Sequence, residues 1–177
     1  MMQRRPVCAL LVLLILSSSY AISQETTESG ALRISSSVFD NNGQIPIRYG
    51  CDGENVNPLL EIENVPSKAR SLALIFDDRD APKGSYVHWI LWNIHPGTKE
   101  IKEDSVPDGA VQGLNGFKKH KYGGPCPPKR PHRYVFKLYA LDVRLQLSSK
   151  STKAHLEKAM KGHIIAQAQL TGVYKRE

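Results

Sequence analysis

The chain has 177 residues, 41% hydrophobic and 23% charged, with 24 Lys and Arg against 17 Asp and Glu for a formal charge of +7. That is enough apolar material for one domain with a real core, and the one long apolar run lies at the start, which excludes a multi-span membrane protein. The charge is mild and spread along the chain, so it permits an anionic partner without singling out nucleic acid.

"MMQRR", then "VCALLVLLIL", then "SSSYAISQ" runs basic, apolar, small and polar, the order of a secretory signal peptide. The spacing of small residues suits cleavage after Ala21 or after Ser23. The apolar run is shorter than the roughly 20 residues a spanning helix needs, so a retained anchor is the weaker alternative. The expected division is residues 1–23 as signal, 24–30 as a flexible N-terminus and 31–177 as a single domain. Removing Arg4 and Arg5 leaves 22 basic residues against 17 acids, a mature charge of +5. Cys8 leaves with the signal. Two cysteines in an exported chain predict one disulfide, Cys51–Cys126, across 75 positions; the alternative is two buried thiols.

From Leu32, "LRISSSVF" alternates, with Leu32, Ile34 and Val38 on one face, and reads as a strand. "DNNGQIPIRYGCDGENVNP" is turn chemistry. "SLALIF" at 71–76 is a short buried strand, and "YVHWILWNI" at 86–94 is apolar on both faces, which predicts cover on each side. Residues 96–131 are rich in Gly and Pro, with "AVQGLN" as a brief pairing segment; loops of this length are usually functional or locally structured. "HRYVFKLYALD" at 132–142 is a further strand. A helix follows, capped by Ser149 or Ser151, with Leu156, Ala159 and Met160 as its apolar stripe and Gly162 as its C′ residue. "IIAQAQLTGVY" closes the chain as a strand with Ala166, Ala168 and Leu170 on one face and Gln167, Gln169 and Thr171 on the other. The expected fold class is mostly β, a β-rich α+β domain with one or two helices near the C-terminus.

Asp78 and Asp80 stand at the end of the 71–76 strand, and Ala81-Pro82 then forces a turn. His88 lies inside the next strand; alone, it is either a satisfied core histidine or part of a pocket. His132 begins another strand behind a Gly/Pro loop, and adjacent strands would bring both rings to one sheet edge beside the aspartates. Two imidazoles with carboxylates can bind a small anion, hold a metal or move protons. His88 and His132 are 44 positions apart with no close-spaced partner, which is poor spacing for a metal, and no cofactor motif is present. There is no G-x-S-x-G and no phosphate-binding G-x-x-x-x-G-K-[ST]. In "GGPCPPKRPHRY" at 123–134, four prolines stiffen the chain and two glycines allow close backbone approach, which suits a small fixed pocket. "FKKHKY" at 117–122 could touch phosphates, but four basic residues in a loop more often form a solvated tip.

"DDRDAP" with "VHW", then "YGGPCPP", "PHRYVFKLYALD" and "KAMKGHIIAQAQLTGVY", resemble the phosphatidylethanolamine-binding protein family, most closely its prokaryotic Raf kinase inhibitor-like (YbhB/YbcL) branch. The resemblance spans about Leu32 to Tyr174. The family's D-P-D-A-P reads Asp78-Arg79-Asp80-Ala81-Pro82 here, and its G-x-H-R reads Arg130-Pro131-His132-Arg133, so each departure adds a cation. The resemblance implies a large central antiparallel-rich sheet packed on a smaller one. It implies an anion pocket formed by Asp78, His88, Gly124, Pro125, Cys126, His132 and Tyr134, with Tyr122 at its rim. Asp78 would orient an imidazole, Asp80 would pair with Arg133, and Pro82 would fix the turn that aims them.

The function expected is a non-catalytic binding protein, secreted or periplasmic, that captures a small anion or a phospholipid head group. The alternatives are a serine protease inhibitor, with a protease as protein partner, and a phosphoester or ester hydrolase using the His/Asp group. No nucleic-acid partner and no stable membrane insertion are expected, and export separates the chain from cytosolic kinases.

Overall fold

The computed structural model describes residues 30–82 and 84–176. The expected signal peptide and nearly all of the flexible N-terminus therefore lie outside the described residues. Among the described residues eight strands form two antiparallel sheets. The smaller sheet has the order β1 (Arg33–Ser35), β2 (Leu60–Glu63), β5 (Glu100–Ile101). The larger has the order β6 (Val111–Gln112), β4 (Tyr86–Ile94), β3 (Ser71–Asp78), β7 (His132–Leu141), β8 (Ile164–Tyr174). One α-helix, α1 (Lys153–Met160), and a 3-10 turn at Ile47–Tyr49 complete it.

The larger sheet is covered on both faces, which is why β3 and the centre of β4 read as continuous apolar runs. Leu72, Leu74 and Phe76 face the smaller sheet and pack with Leu60, Ile62 and Ile101. Ala73 and Ile75 face the other way and pack with Ile90, Trp92 and the helix residues Leu156 and Met160. The edge strand β8 starts with a solvated face, and its alternation is the one expected: Ala166, Ala168 and Leu170 are the more buried set.

Three local expectations are corrected. The helix is capped by Thr152, one residue after Ser151 and three after Ser149; the Thr152 N–H donates to His155 Nδ1 at 3.2 Å. Gly162 holds its C′ place at φ +84°. β2 and β5 went unread in the sequence, because strands of four and two residues are too short to show a period. Strand β3 stops at Asp78, so Asp80 lies in the turn beyond it.

Asp77, Asp78 and Asp80 each have a separate cationic or imidazole partner. Asp77 is fully buried on the helix side, where its Oδ2 accepts from Lys137 Nζ at 2.9 Å and Lys153 Nζ at 2.6 Å. Asp78, one residue on, leaves the opposite face of the pleat.

Candidate functional site

The site forms where β3, β4 and β7 end together. Asp78 and Tyr134 are directly opposed in the β3–β7 register, and Phe76 opposes Phe136 one pleat further in. His132 stands two residues before Tyr134 on β7, so it shares that face. Its Nδ1 lies 2.8 Å from Asp78 Oδ2. A carboxylate oxygen only accepts, so Nδ1 carries the hydrogen and Nε2 the lone pair.

His88 reaches this face by a different device. In the β3–β4 register Phe76 opposes Trp89 while Asp77 opposes Val87, so His88 is an extra residue without a partner. Simple alternation would send it to the helix side with Ile90 and Trp92. The bulge turns it over to the Phe76 side, as bulges beside functional sites commonly do. Its ring meets Phe76 at 5.6 Å and Tyr134 at 5.2 Å, both edge-on. A second irregularity between Leu72 and Leu74, with Asn93 at φ +57°, shifts the register by one further residue deeper in the sheet.

The His88 Nδ1 donates to the Gly123 carbonyl at 2.7 Å, so this imidazole too spends Nδ1 on the protein. His88 is 3% exposed, and burial holds its pKa below the ordinary histidine value; the Gly123 carbonyl and the charge of Asp78 oppose that shift. His132 and Tyr134 stack at 6.4 Å, so the Tyr134 ring touches both imidazoles. Burial first, and then the Asp78 charge, raises the Tyr134 phenol far above its usual value. It therefore stays an O–H group throughout the neutral range.

The flap at 123–131 closes the site. The Cys126 N–H donates to the Tyr134 hydroxyl at 3.3 Å. The disulfide Cys51–Cys126 is formed, as expected, with Cα atoms 5.3 Å apart. Beside it, the Cys51 N–H donates to the Pro125 carbonyl at 2.9 Å and the Gly124 N–H to Asn55 Oδ1 at 2.6 Å. Gly124 is required here: a Cβ would stand 2.4 Å from the Tyr49 carbonyl. Gly124 and Pro125 are buried and Cys126 is exposed.

Asp80, Arg133 and Pro82, the supports that the resemblance implied, stand at the turn after β3 and the start of β7. Asp80 Oδ2 accepts from the Arg133 backbone N–H at 2.8 Å and from its Nε at 3.0 Å, while Oδ1 accepts from Nη2 at 2.6 Å. Those bonds hold the Asp80 carboxyl well below its ordinary pKa. The Asp78 Oδ1 accepts the Asp80 N–H at 2.9 Å, and Pro82 sits in the turn closed by the Gly84 N–H and the Ala81 carbonyl at 3.0 Å. Arg79 and Arg130, the two departures from the family motifs, are exposed.

Tyr122 is corrected from rim to interior. It is buried, its hydroxyl donates to the Tyr49 carbonyl at 3.0 Å, and its ring stacks on Phe76 at 5.5 Å. The rim is instead Tyr86 and Phe117, both partly exposed, which meet His88 edge-on at 5.5 and 5.6 Å. Sequence reasoning missed them. Tyr86 read as the start of a strand and Phe117 as part of a solvated basic tip. Asn115 was missed too: its Oδ1 accepts from the Phe117 and Lys119 N–H groups, and its Nδ2 donates to the Lys121 carbonyl. Its "N-G-F" context was the available signal for such a turn.

Among the described residues no group of three or more His, Cys, Asp or Glu side chains is arranged to hold a metal ion. No helix of the described residues is long and apolar enough to cross a membrane.

Known proteins carry the same arrangement of chain. A UPF0098 protein of Methanothermobacter thermautotrophicus is 44% identical over 150 residues, covering 82% of this chain and 99% of its own. A UPF0098 protein of Pyrococcus horikoshii is 41% identical over 184 residues, covering 97% and 92%. The crystal structure of a phosphatidylethanolamine-binding protein homolog from Chlamydia trachomatis superposes with a TM-score of 0.80 at 41% identity, over 83% of this chain and 99% of that one. E. coli YbcL, described as a member of the mammalian PEBP family, gives 0.78 at 30% identity, over 84% and 100%. The model of the phosphatidylethanolamine-binding protein family matches residues 35–175, and with these relatives that places this chain in the phosphatidylethanolamine-binding protein family.

Proposed function

We propose that the protein is an exported, non-catalytic binding protein whose pocket captures a small anion or the phosphorylated head group of a lipid, and that the loaded pocket modulates a protein partner. The observation that carries this reading is the use of both imidazoles. His88 and His132 each spend Nδ1 on the protein, flank one buried tyrosine ring and keep Nε2 for a ligand.

A neutral imidazole bonded in this way offers a lone pair at Nε2, and protonation converts it to a donor. An anion that carries its own hydrogen, such as a monoprotonated phosphate, can meet the lone pair. An anion without one must bring a proton to the histidine. Affinity therefore rises as pH falls through the histidine range. The stiff flap and the buried Asp78–His132 pair hold the pocket in shape before the ligand arrives, which limits the ordering cost of binding.

Calorimetric titration with phosphate, phosphoethanolamine and sulfate at pH 6 and pH 8 tests the reading. Sulfate keeps its charge across this range, so its pH dependence reports the protein alone. Tighter binding at pH 6 is expected, together with loss of affinity in His132→Ala. No binding at either pH, or tighter sulfate binding at pH 8, sinks it. Phosphoester or ester turnover that vanishes in His88→Ala would replace it with a hydrolase, and inhibition of serine proteases with an inhibitor.

A further inference from the structure

Beside the imidazole pocket lies a second concavity of about 190 Å3. Lys119, Lys121, Phe117 and Tyr122 are among the residues that line it, together with the Gly123–Gly124 backbone and the Cys51–Cys126 disulfide. No carboxylate lines it. Both lysines are exposed, and neither forms an ion pair among the described residues.

The lysines are not carried on a loose tip. Asn115, only 5% exposed, accepts from the Lys119 N–H at 3.0 Å and donates to the Lys121 carbonyl at 2.8 Å. Its own N–H donates to the Lys119 carbonyl at 3.0 Å, and Lys118 between the anchors takes φ +58°. The loop is therefore set before a ligand arrives.

The two concavities share a wall. The Gly123 carbonyl accepts the His88 Nδ1–H, and the Gly123 N–H donates to the His88 carbonyl at 3.0 Å. Phe117 lines the lysine cavity and also meets the His88 ring. A solvated lysine pair by itself is ordinary surface. An acid-free cavity with two unpaired lysines, on a fixed loop, against the back of a binding imidazole, is a place for a negative group.

We infer that this cavity is a second anion subsite, and that the ligand of the pocket carries two anionic groups joined by a linker, one for the imidazoles and one for Lys119 and Lys121. The inference rests on the anion-capture reading above. Lys119 and Lys121 then discriminate two-headed anions from simple ones.

Titration of the full mature chain with inorganic phosphate and with alkane-α,ω-bisphosphonates of increasing length tests it. At one length the bisphosphonate binds about tenfold or more tighter than phosphate, the gain expected when a second site is engaged intramolecularly. In Lys119→Glu/Lys121→Glu that gain falls to about the twofold statistical advantage of two equivalent heads, while phosphate affinity is unchanged. Lys118→Glu reverses one charge on the same loop outside the cavity, half the change of the double variant, and keeps the gain. Lys119→Gln/Lys121→Gln repeats the test without charge reversal if the first variant folds poorly. The inference is overturned if no length gains over phosphate, if the gain survives loss of both lysines, or if Lys118→Glu abolishes it equally. Failure of phosphate alone defeats the imidazole reading; lysine-dependent capture of the bisphosphonate under that result would still support the subsite.

Discussion

Asp78→Asn is the sharpest single perturbation of the site. Asp78 Oδ1 accepts the Asp80 N–H and Oδ2 accepts the His132 Nδ1–H. An asparagine of the same shape keeps its oxygen on the Asp80 N–H, which leaves its NH2 facing His132. Two donors cannot meet, so the imidazole changes tautomer: Nδ1 becomes the acceptor and Nε2 gains the hydrogen. Replacing a charge-assisted bond with a neutral one costs about 1 kcal/mol of stability. The pocket, however, gains a permanent donor. An N–H bond to an anion contributes about 1.5–3 kcal/mol, or roughly ten- to hundredfold in affinity, now without proton uptake. Calorimetry with sulfate from pH 6 to pH 8, in buffers of different ionisation enthalpy, reads both quantities. The variant is expected to take up about one proton fewer than the native chain and to bind more tightly at pH 8. Undiminished proton uptake, or weaker binding at every pH, would refute the assignment of Nε2 of His132 to the ligand.

Gly124→Ala places a Cβ 2.4 Å from the Tyr49 carbonyl and 2.7 Å from Asn55 Oδ1, so the flap must move. A loss of about 1–3 kcal/mol in denaturant unfolding and weaker phosphate binding are expected, and native values for both would contradict the close contact. Because burial depresses the His88 pKa, the folded state binds this proton less readily than the unfolded chain. Stability from this group is therefore present above about pH 6.5 and is lost below it, by at most about 1.4 kcal/mol per pH unit. His88→Gln should flatten that acid limb of a stability-against-pH curve. The disulfide closes a separation of 75 residues, so chain entropy gives about 4 kcal/mol to the oxidised form. Thermal melts with and without reductant should differ by roughly 8–16 °C for a chain of this size, and coincident melts would show that the tether adds no stability.

The acids at 77–80 show how much can be read locally. The sequence identified Asp78, Asp80, His132, Arg133 and Tyr134 because family motifs and strand alternation name them directly. The ion pair of Asp80 with Arg133 and the bond of Asp78 to His132 then needed only adjacent strands in the expected order. Asp77 was unassigned, because its two lysines come from β7 and α1, 60 and 76 positions away. Tyr86 and Phe117 escaped for the same reason, since a rim is made by loops meeting in space.

The sequence by itself determined the long apolar strands, the turn chemistry, a helix near the C-terminus and the cysteine pair, because these follow from local period, backbone preference and residue count. Only the tertiary structure decided which way His88 points. Strand period alone sends that ring toward the helix; an unpaired position against β3 turns it onto the face of Asp78 and Tyr134. A bulge is a property of two paired strands, so no reading of one strand contains it.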